Sequence, residues 1–137
     1  MPNDERNLET LPDGALGLIP LESCKELGLK VDKYLVGWRE KRQHQHASDL
    51  AFKDYRRDSY IISTAVPRFG TGEAKGVIKE SVRGYDLYLM VDVTNYSLTY
   101  SVCGHENHMS PDDHYADLKR IICLLYTSPS PRDLSTS

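Results

Sequence analysis

The sequence predicts an α/β fold, because segments typical of strands alternate along the chain with segments of helical spacing. Residues 87–91 are an apolar run between Asp86 and Asp92, a pattern that indicates a strand buried on both faces. Residues 22–42 carry apolar side chains at helical spacings, and a second such helix begins at Pro111. Strands and helices in this order are typical of α/β proteins.

The first half of the chain contains two predicted strands and one helix. Residues 16–20 form the first strand, and the helix follows it. Gly28 lies inside that helix and weakens it by about 1 kcal/mol relative to alanine, so the helix can break there. Residues 43–58 are polar and are predicted to be a surface excursion, while residues 59–65 are rich in β-branched side chains and predict a strand that Pro67 ends.

The second half contains the best-specified part of the sequence, residues 68–94. A half-buried strand is predicted around Val77 and Ile78, and the turn Arg83-Gly84 leads into the apolar strand. Residues 95–110 are polar and are predicted to be irregular.

The final helix has a defined start. Ser110 is a good N-cap, Pro111 suits the first helical position, and Asp112 and Asp113 favour the positive end of the helix dipole.

Composition excludes several classes of protein. The 137 residues are 39% hydrophobic, with a net charge of −3 and a mean hydropathy of −0.51. This charge gives no general attraction to nucleic acids or anionic membranes, and no apolar run reaches the ~18 residues of a membrane span. Residues 1–13 are acidic and polar, so we expect them to be disordered and not a signal peptide. The three cysteines, Cys24, Cys103 and Cys123, form no close pair, which favours reduced thiols in a cytoplasm.

The composition changes abruptly after Ile122 to serine, proline and threonine. A natural linker has this composition. However, a DNA string that encodes residues 123–133 also resembles a common transposase sequencing adaptor read in one frame. We therefore predict that residues 123–137 derive from an adaptor and that the protein domain occupies residues 14–122. Resequencing the locus tests this prediction, and an uninterrupted gene across this point would contradict it.

Two motifs resemble those of ribose-phosphate pyrophosphokinases, the synthases of phosphoribosyl pyrophosphate. Residues 68–73, RFGTGE, are similar to the family's RFSDGE, and residues 80–88, ESVRGYDLY, are similar to its ESVRGxDVY block. Residues 116–120, ADLKR, look like the end of a family helix. The resemblance implies a partial N-terminal domain of phosphoribosyltransferase-like (Rossmann-like) fold.

The resemblance also implies an activity. Family members are cytoplasmic, homo-oligomeric transferases of nucleotide biosynthesis, and they move the β,γ-diphosphoryl group of ATP to the 1-hydroxyl of ribose 5-phosphate with Mg²⁺. Their catalytic loop, their metal ligands and their ribose-phosphate loop follow the helix that here contains Ile122. The resemblance therefore places no catalytic residue and no magnesium ligand in this chain, and we expect the chain alone to be inactive and poorly folded.

By motif alignment, Phe69, Thr71 and Glu73 are the ATP-binding residues. Residues two apart project from one side of a strand, so an aromatic ring, a hydroxyl and a carboxylate would face the nucleotide together. Thr71 departs from the usual aspartate or asparagine and cannot mimic a carboxylate. The alternative interpretation is that Phe69 belongs to the core and that Glu73 is a solvated strand position.

Ser81 and Arg83 align with the family's regulatory phosphate site, and a hydroxyl and a guanidinium suit phosphate oxygens. The alternative is a turn stabilised by hydrogen bonds of Ser81 and by the geometry of Gly84. Cys103, His105 and His108 have a spacing that fits no common zinc finger, so no metal site is assigned.

Two other functions are compatible with the same residues. A non-catalytic regulatory homologue would keep the fold and the oligomer surface without the chemistry. A phosphoribosyltransferase shares the fold type, and its signature loop would also follow this segment.

Overall fold

The fold is organised around a parallel pair of strands, seen in a computed structural model that describes residues 14–45 and 57–127. In chain order the elements are β1 (Ala15–Pro20), a short 3-10 helix (Glu22–Cys24), α1 (Lys25–Gln45), β2 (Thr64–Ala65), β3 (Val77–Ile78), β4 (Tyr85–Met90), β5 (Thr99–Val102), β6 (His105–His108) and α2 (Pro111–Thr127). Three two-stranded sheets are formed: parallel β1–β4, antiparallel β2–β3 and antiparallel β5–β6. This mixture of helices and strands confirms the predicted α/β class.

Strand β1 lies between β4 and a short extended segment. Its register with β4 runs from Ala15 opposite Tyr85 to Pro20 opposite Met90. On its other edge, the Leu18 amide donates to the Tyr60 carbonyl at 2.8 Å. Strand β1 is therefore the most enclosed strand of the described chain.

The core forms where α2 packs against this sheet. The largest fully buried side chains are Ile19 in β1, Ile62 just before β2 and Ile121 in α2. Leu21 belongs to the same cluster. Leu118 and Leu125 of α2 pack against the same cluster. Burial of these aliphatic side chains fixes α2 against the parallel strands.

Helix α1 continues through Gly28 and does not break there. A Cβ atom at Gly28 would lie 2.5 Å from Cβ of Pro20, so the missing side chain lets the helix approach the end of β1. One turn later, Asp32 accepts hydrogen bonds from the Tyr60 amide at 2.6 Å and from the Ser59 hydroxyl at 2.8 Å. Glycine therefore serves packing at this position, which outweighs its low helix propensity.

Three predictions about the strands were wrong. Residues 59–65 do not form one continuous strand, since only Ile61 bridges to β1 before β2 begins. Strand β4 is not buried on both faces, because Tyr88 is 62% exposed although its partner Leu18 in β1 is buried. Residues 95–110 are not irregular, because they contain the hairpin β5–β6.

Helix α2 begins as predicted and ends later. The Ser110 hydroxyl accepts from the Asp113 amide at 3.2 Å, and Asp113 accepts from the Ser110 amide at 2.9 Å, which forms a reciprocal cap. The helix continues past Ile122 to Thr127, because residues 123–126 are compatible with a helix and no proline occurs before residue 129.

The predicted disorder of residues 1–13 and most of the predicted surface excursion fall outside the described residues. Within residues 14–45 and 57–127, neither helix combines the length and the apolar content that a bilayer crossing needs.

Candidate functional site

The RFGTGE motif forms a tight turn. The Phe69 amide donates to the Glu73 carbonyl at 2.8 Å, and the Gly72 amide donates to the Phe69 carbonyl at 2.9 Å. Arg68 and Ala74 form an antiparallel bridge at the base of the turn. Gly72 has a φ of +87°, a conformation that glycine adopts without strain. We refer to residues 69–73 as the 69–73 turn.

This geometry corrects one expectation about the three predicted nucleotide-binding residues. Phe69, Thr71 and Glu73 do not project from one face of a strand, because the backbone reverses between them. All three are nevertheless exposed, and the Phe69 residue is 56% accessible to solvent. Phe69 is therefore not a core residue, and its ring is free to contact a ligand.

The Arg68 side chain links the 69–73 turn to α2 and β5. Its Nη1 donates to the Gly72 carbonyl at 3.1 Å, and its Nη2 donates to Oδ2 of Asp117 on α2 at 2.9 Å. The guanidinium carbon also lies 4.5 Å from the centre of the Tyr100 ring on β5. Only 14% of the Arg68 side chain is exposed, so these contacts form in a partly desolvated environment.

Asp117 is shared by two cations. Arg120 Nη1 donates to its Oδ1 at 2.9 Å, while Arg68 occupies the other oxygen. Burial raises the pKa of Asp117, even though both guanidinium groups act to lower that pKa. The two cations therefore offset only part of the cost of burying this carboxylate.

Asp113, one helical turn earlier, has the opposite pKa shift. Burial acts to raise the pKa of Asp113, but hydrogen bonds from Ser110, the charge of Arg68 and the Tyr100 hydroxyl together hold it below its usual value. The two carboxylates of α2 that face this region therefore respond differently to pH.

A cleft of about 970 Å³ opens beside the 69–73 turn. Its walls come from the chain after β1, from residues 59–66 and from β5, so it lies at the carboxyl end of β1. Ligands of open α/β sheets bind at this end of the strands. Phe69 lines the cleft, but Thr71 and Glu73 do not.

Several further residues with functional groups line the cleft, and four of them are of interest here. They are Arg68, Lys79, Tyr100 and His114. Sequence reasoning did not select any of them as a site residue. Arg68 was already part of the matched motif, whereas Tyr100 and His114 are brought to the cleft only by the hairpin and by α2.

Ser81 and Arg83 lie elsewhere, in the turn before β4. Both are exposed, and neither lines the cleft. The turn is closed by the Tyr85 amide, which donates to the Val82 carbonyl at 3.1 Å, and Gly84 has a φ of +75°. Within residues 14–45 and 57–127, no hydrogen bond of the Ser81 side chain contributes to this turn. The alternative interpretation attributed the turn to the backbone conformation of Gly84 and to hydrogen bonds of Ser81. Among the described residues, the structure shows the first of these contributions.

Metal ligands do not converge in the part of the chain that the structure describes. It contains no group of three or more His, Cys, Asp or Glu side chains arranged to hold a metal ion. His108 instead stacks on Tyr96 at 4.4 Å, and His114 Nε2 lies 2.6 Å from the Asn95 carbonyl oxygen.

Comparisons with protein-family models, with curated proteins and with solved structures gave no match for this chain.

Proposed function

We propose that this chain is an N-terminal portion of a ribose-phosphate pyrophosphokinase, which makes phosphoribosyl pyrophosphate from ATP and ribose 5-phosphate. The observation that carries the proposal is the position of Phe69. The aromatic residue of the family-like motif is exposed on a hydrogen-bonded turn at the rim of a cleft. An exposed phenylalanine in a fixed backbone is suited to stacking on a purine.

In this proposal the 69–73 turn presents the nucleotide contacts. Phe69 stacks on the adenine ring, and the exposed Thr71 and Glu73 supply hydrogen-bonding groups to the base or the ribose. Phe69 lines the cleft, whereas Thr71 and Glu73 lie outside it on the exposed part of the turn.

The diphosphoryl transfer itself requires groups that neutralise phosphate charge. The resemblance assigns those groups, and the Mg²⁺ ligands, to sequence that would follow Ile122. The role of this chain is therefore nucleotide contact and assembly, and we expect it to make no phosphoribosyl pyrophosphate by itself.

Nucleotide binding can be tested directly. We expect the 137-residue chain to bind ATP weakly in calorimetric titrations. Phe69→Ala should weaken that binding by about 5- to 150-fold, since one base–aromatic stack contributes about 1–3 kcal/mol. Tyr115→Ala is the matched control, because Tyr115 is 54% exposed on α2 and does not line the cleft. Equal affinities for ATP in both variants would count against the assignment of Phe69.

A second experiment tests the enzyme assignment. The gene is read and expressed past the codon for Ile122, and the product is assayed for phosphoribosyl pyrophosphate. An intact catalytic lysine loop together with product formation supports the enzyme. Nucleotide binding without those loops and without turnover refutes it.

The non-catalytic regulatory homologue is the second candidate, and Thr71 favours it. This residue stands where the family has aspartate or asparagine, and a threonine hydroxyl cannot supply a carboxylate to the nucleotide. Thr71→Asp provides the test: a regulatory protein should gain no turnover from this change in the full gene product.

A further inference from the structure

The hairpin β5–β6 contacts the backbone of the 69–73 turn. The Cys103 amide, at the tip of the hairpin, donates to the Gly70 carbonyl at 2.9 Å. The Val102 side chain packs against Gly72. A Cβ atom added to Gly72 would lie only 2.8 Å from Cγ2 of Val102. Tyr100 stacks on the Arg68 guanidinium, which itself bonds the Gly72 carbonyl.

These contacts share one property, which is that they act on the backbone of the turn. They hold the backbone of the turn through the carbonyl groups of Gly70 and Gly72 and through the open face of Gly72. They leave the side chains of Phe69 and Thr71 exposed. The contacts therefore fix the backbone of the turn without covering the Phe69 ring.

The turn has a physical need for this support. It contains two glycines within five residues, and glycine loses more conformational freedom on ordering than any other residue. Without external contacts, such a segment samples many backbone conformations and carries the Phe69 ring with it. Fixing the backbone in advance lowers the entropy that a ligand must otherwise offset.

We propose that the hairpin β5–β6, together with Arg68, is a positioning element that holds the 69–73 turn and so orients Phe69 toward its ligand. Arg68, Tyr100, Val102 and Cys103 form this turn clamp. The nature of the ligand, a nucleotide, rests on the function proposed above, whereas the immobilisation of the turn does not. Residues 95–110, which local sequence predicts to be irregular, thereby acquire a role.

Amide hydrogen exchange on the full 137-residue chain tests the turn clamp. In Tyr100→Ala, the amides of Phe69 and Gly72 should exchange at least about tenfold faster, which corresponds to about 1.4 kcal/mol of lost local protection. The Ile62 amide, bonded to the Leu18 carbonyl at 2.8 Å in the central sheet, should keep its rate. This internal reference separates a local effect from a loss of global stability.

Conservative and control variants complete the design. Tyr100→Phe keeps the ring on the guanidinium and should leave the exchange rates of the turn amides unchanged. Tyr115→Ala removes a matched ring that lies 5.1 Å from a cation, Lys119, and should also leave them unchanged. Arg68→Lys removes the planar fork while keeping the charge, and it should accelerate the turn amides even if the alanine variant does not fold.

The outcomes are distinct. Selective acceleration of the turn amides in Tyr100→Ala or Arg68→Lys supports the turn clamp, and a matching loss of ATP affinity supports its positioning role. Unchanged turn amides, or equal acceleration at Ile62, would overturn it. So would full ATP affinity in a variant whose turn amides are exposed. If the unaltered chain binds no ATP, the proposed function fails, while the exchange pattern still decides whether the hairpin immobilises the turn.

Discussion

Replacing Gly28 by alanine separates helix propensity from packing. Gly28 and Gly37 both lie inside α1, and each weakens the helix by about 1 kcal/mol relative to alanine. Their surroundings differ. A Cβ at Gly28 would lie 2.5 Å from Cβ and 2.7 Å from Cγ of Pro20, whereas a Cβ at Gly37 would have no atom within 4 Å.

The structure therefore predicts opposite signs for the two variants. Gly37→Ala should raise the free energy of unfolding by up to about 1 kcal/mol. In Gly28→Ala the same gain is opposed by overpacking, which costs about 1–3 kcal/mol. The Pro20 ring cannot rotate away from the new methyl group, since proline has no free side-chain torsion. The net change for Gly28→Ala should lie between about 0 and 2 kcal/mol of destabilisation.

Urea and thermal unfolding of the three proteins measure this difference. In a domain of about 100 residues, each kcal/mol of change in the free energy of unfolding shifts Tm by roughly 4–8 °C. Gly37→Ala should melt above the unaltered protein, and Gly28→Ala should melt at the same temperature or below it. If Gly28→Ala were stabilised as much as Gly37→Ala, α1 would not pack against Pro20 as described.

The remaining predictions concern α2. Ser110→Ala should lower the free energy of unfolding by about 1 kcal/mol through loss of the N-cap, and Ser110→Thr should restore most of it in urea unfolding. Asp113→Asn should reduce the loss of stability on acidification, because the lowered pKa contributes stability that disappears as the pH falls below 3.8. The pKa of Asp117 is raised, so its contribution to stability falls as the pH rises above 3.8. Asp117→Asn should therefore remove this loss of stability at higher pH. Urea unfolding across this pH range checks the sign for both variants. Ile121→Ala should cost about 2–5 kcal/mol in urea unfolding, against less than about 0.5 kcal/mol for the exposed Tyr126→Ala.

Local signals in the sequence predicted the parts of the fold that depend on neighbouring residues. The start of α2 follows from Ser110, Pro111 and Asp113, whose side chains cap and orient the first helical turn without help from distant residues. Strand β1 and the turn at Gly84 follow equally from local composition and backbone preference.

Local signals failed where the outcome depended on partners distant in sequence. The apolar run of β4 predicts burial on both faces, but exposure of Tyr88 depends on what the rest of the chain places over each face. Strand β5 alternates exposed Thr99 and Ser101 with half-buried Tyr100 and Val102, but over four residues only, and all four β6 residues are polar and exposed, so the alternation that marks a strand is confined to one short segment. Sequence reasoning therefore interpreted a paired element as irregular.

The sequence by itself determined the α/β class, the start of α2 and the RFGTGE and ESVRG motifs, because each depends on residues that are adjacent in the chain. Only the tertiary structure decided that Phe69 is exposed, that Arg68 is held by Asp117 across 49 positions, and that a hairpin supports the turn. The physical reason is that burial and ion pairing depend on which distant segments meet. Gly28 shows the difference: local propensity makes it a weakness in the helix, whereas the close approach of Pro20 leaves little room for a side chain there.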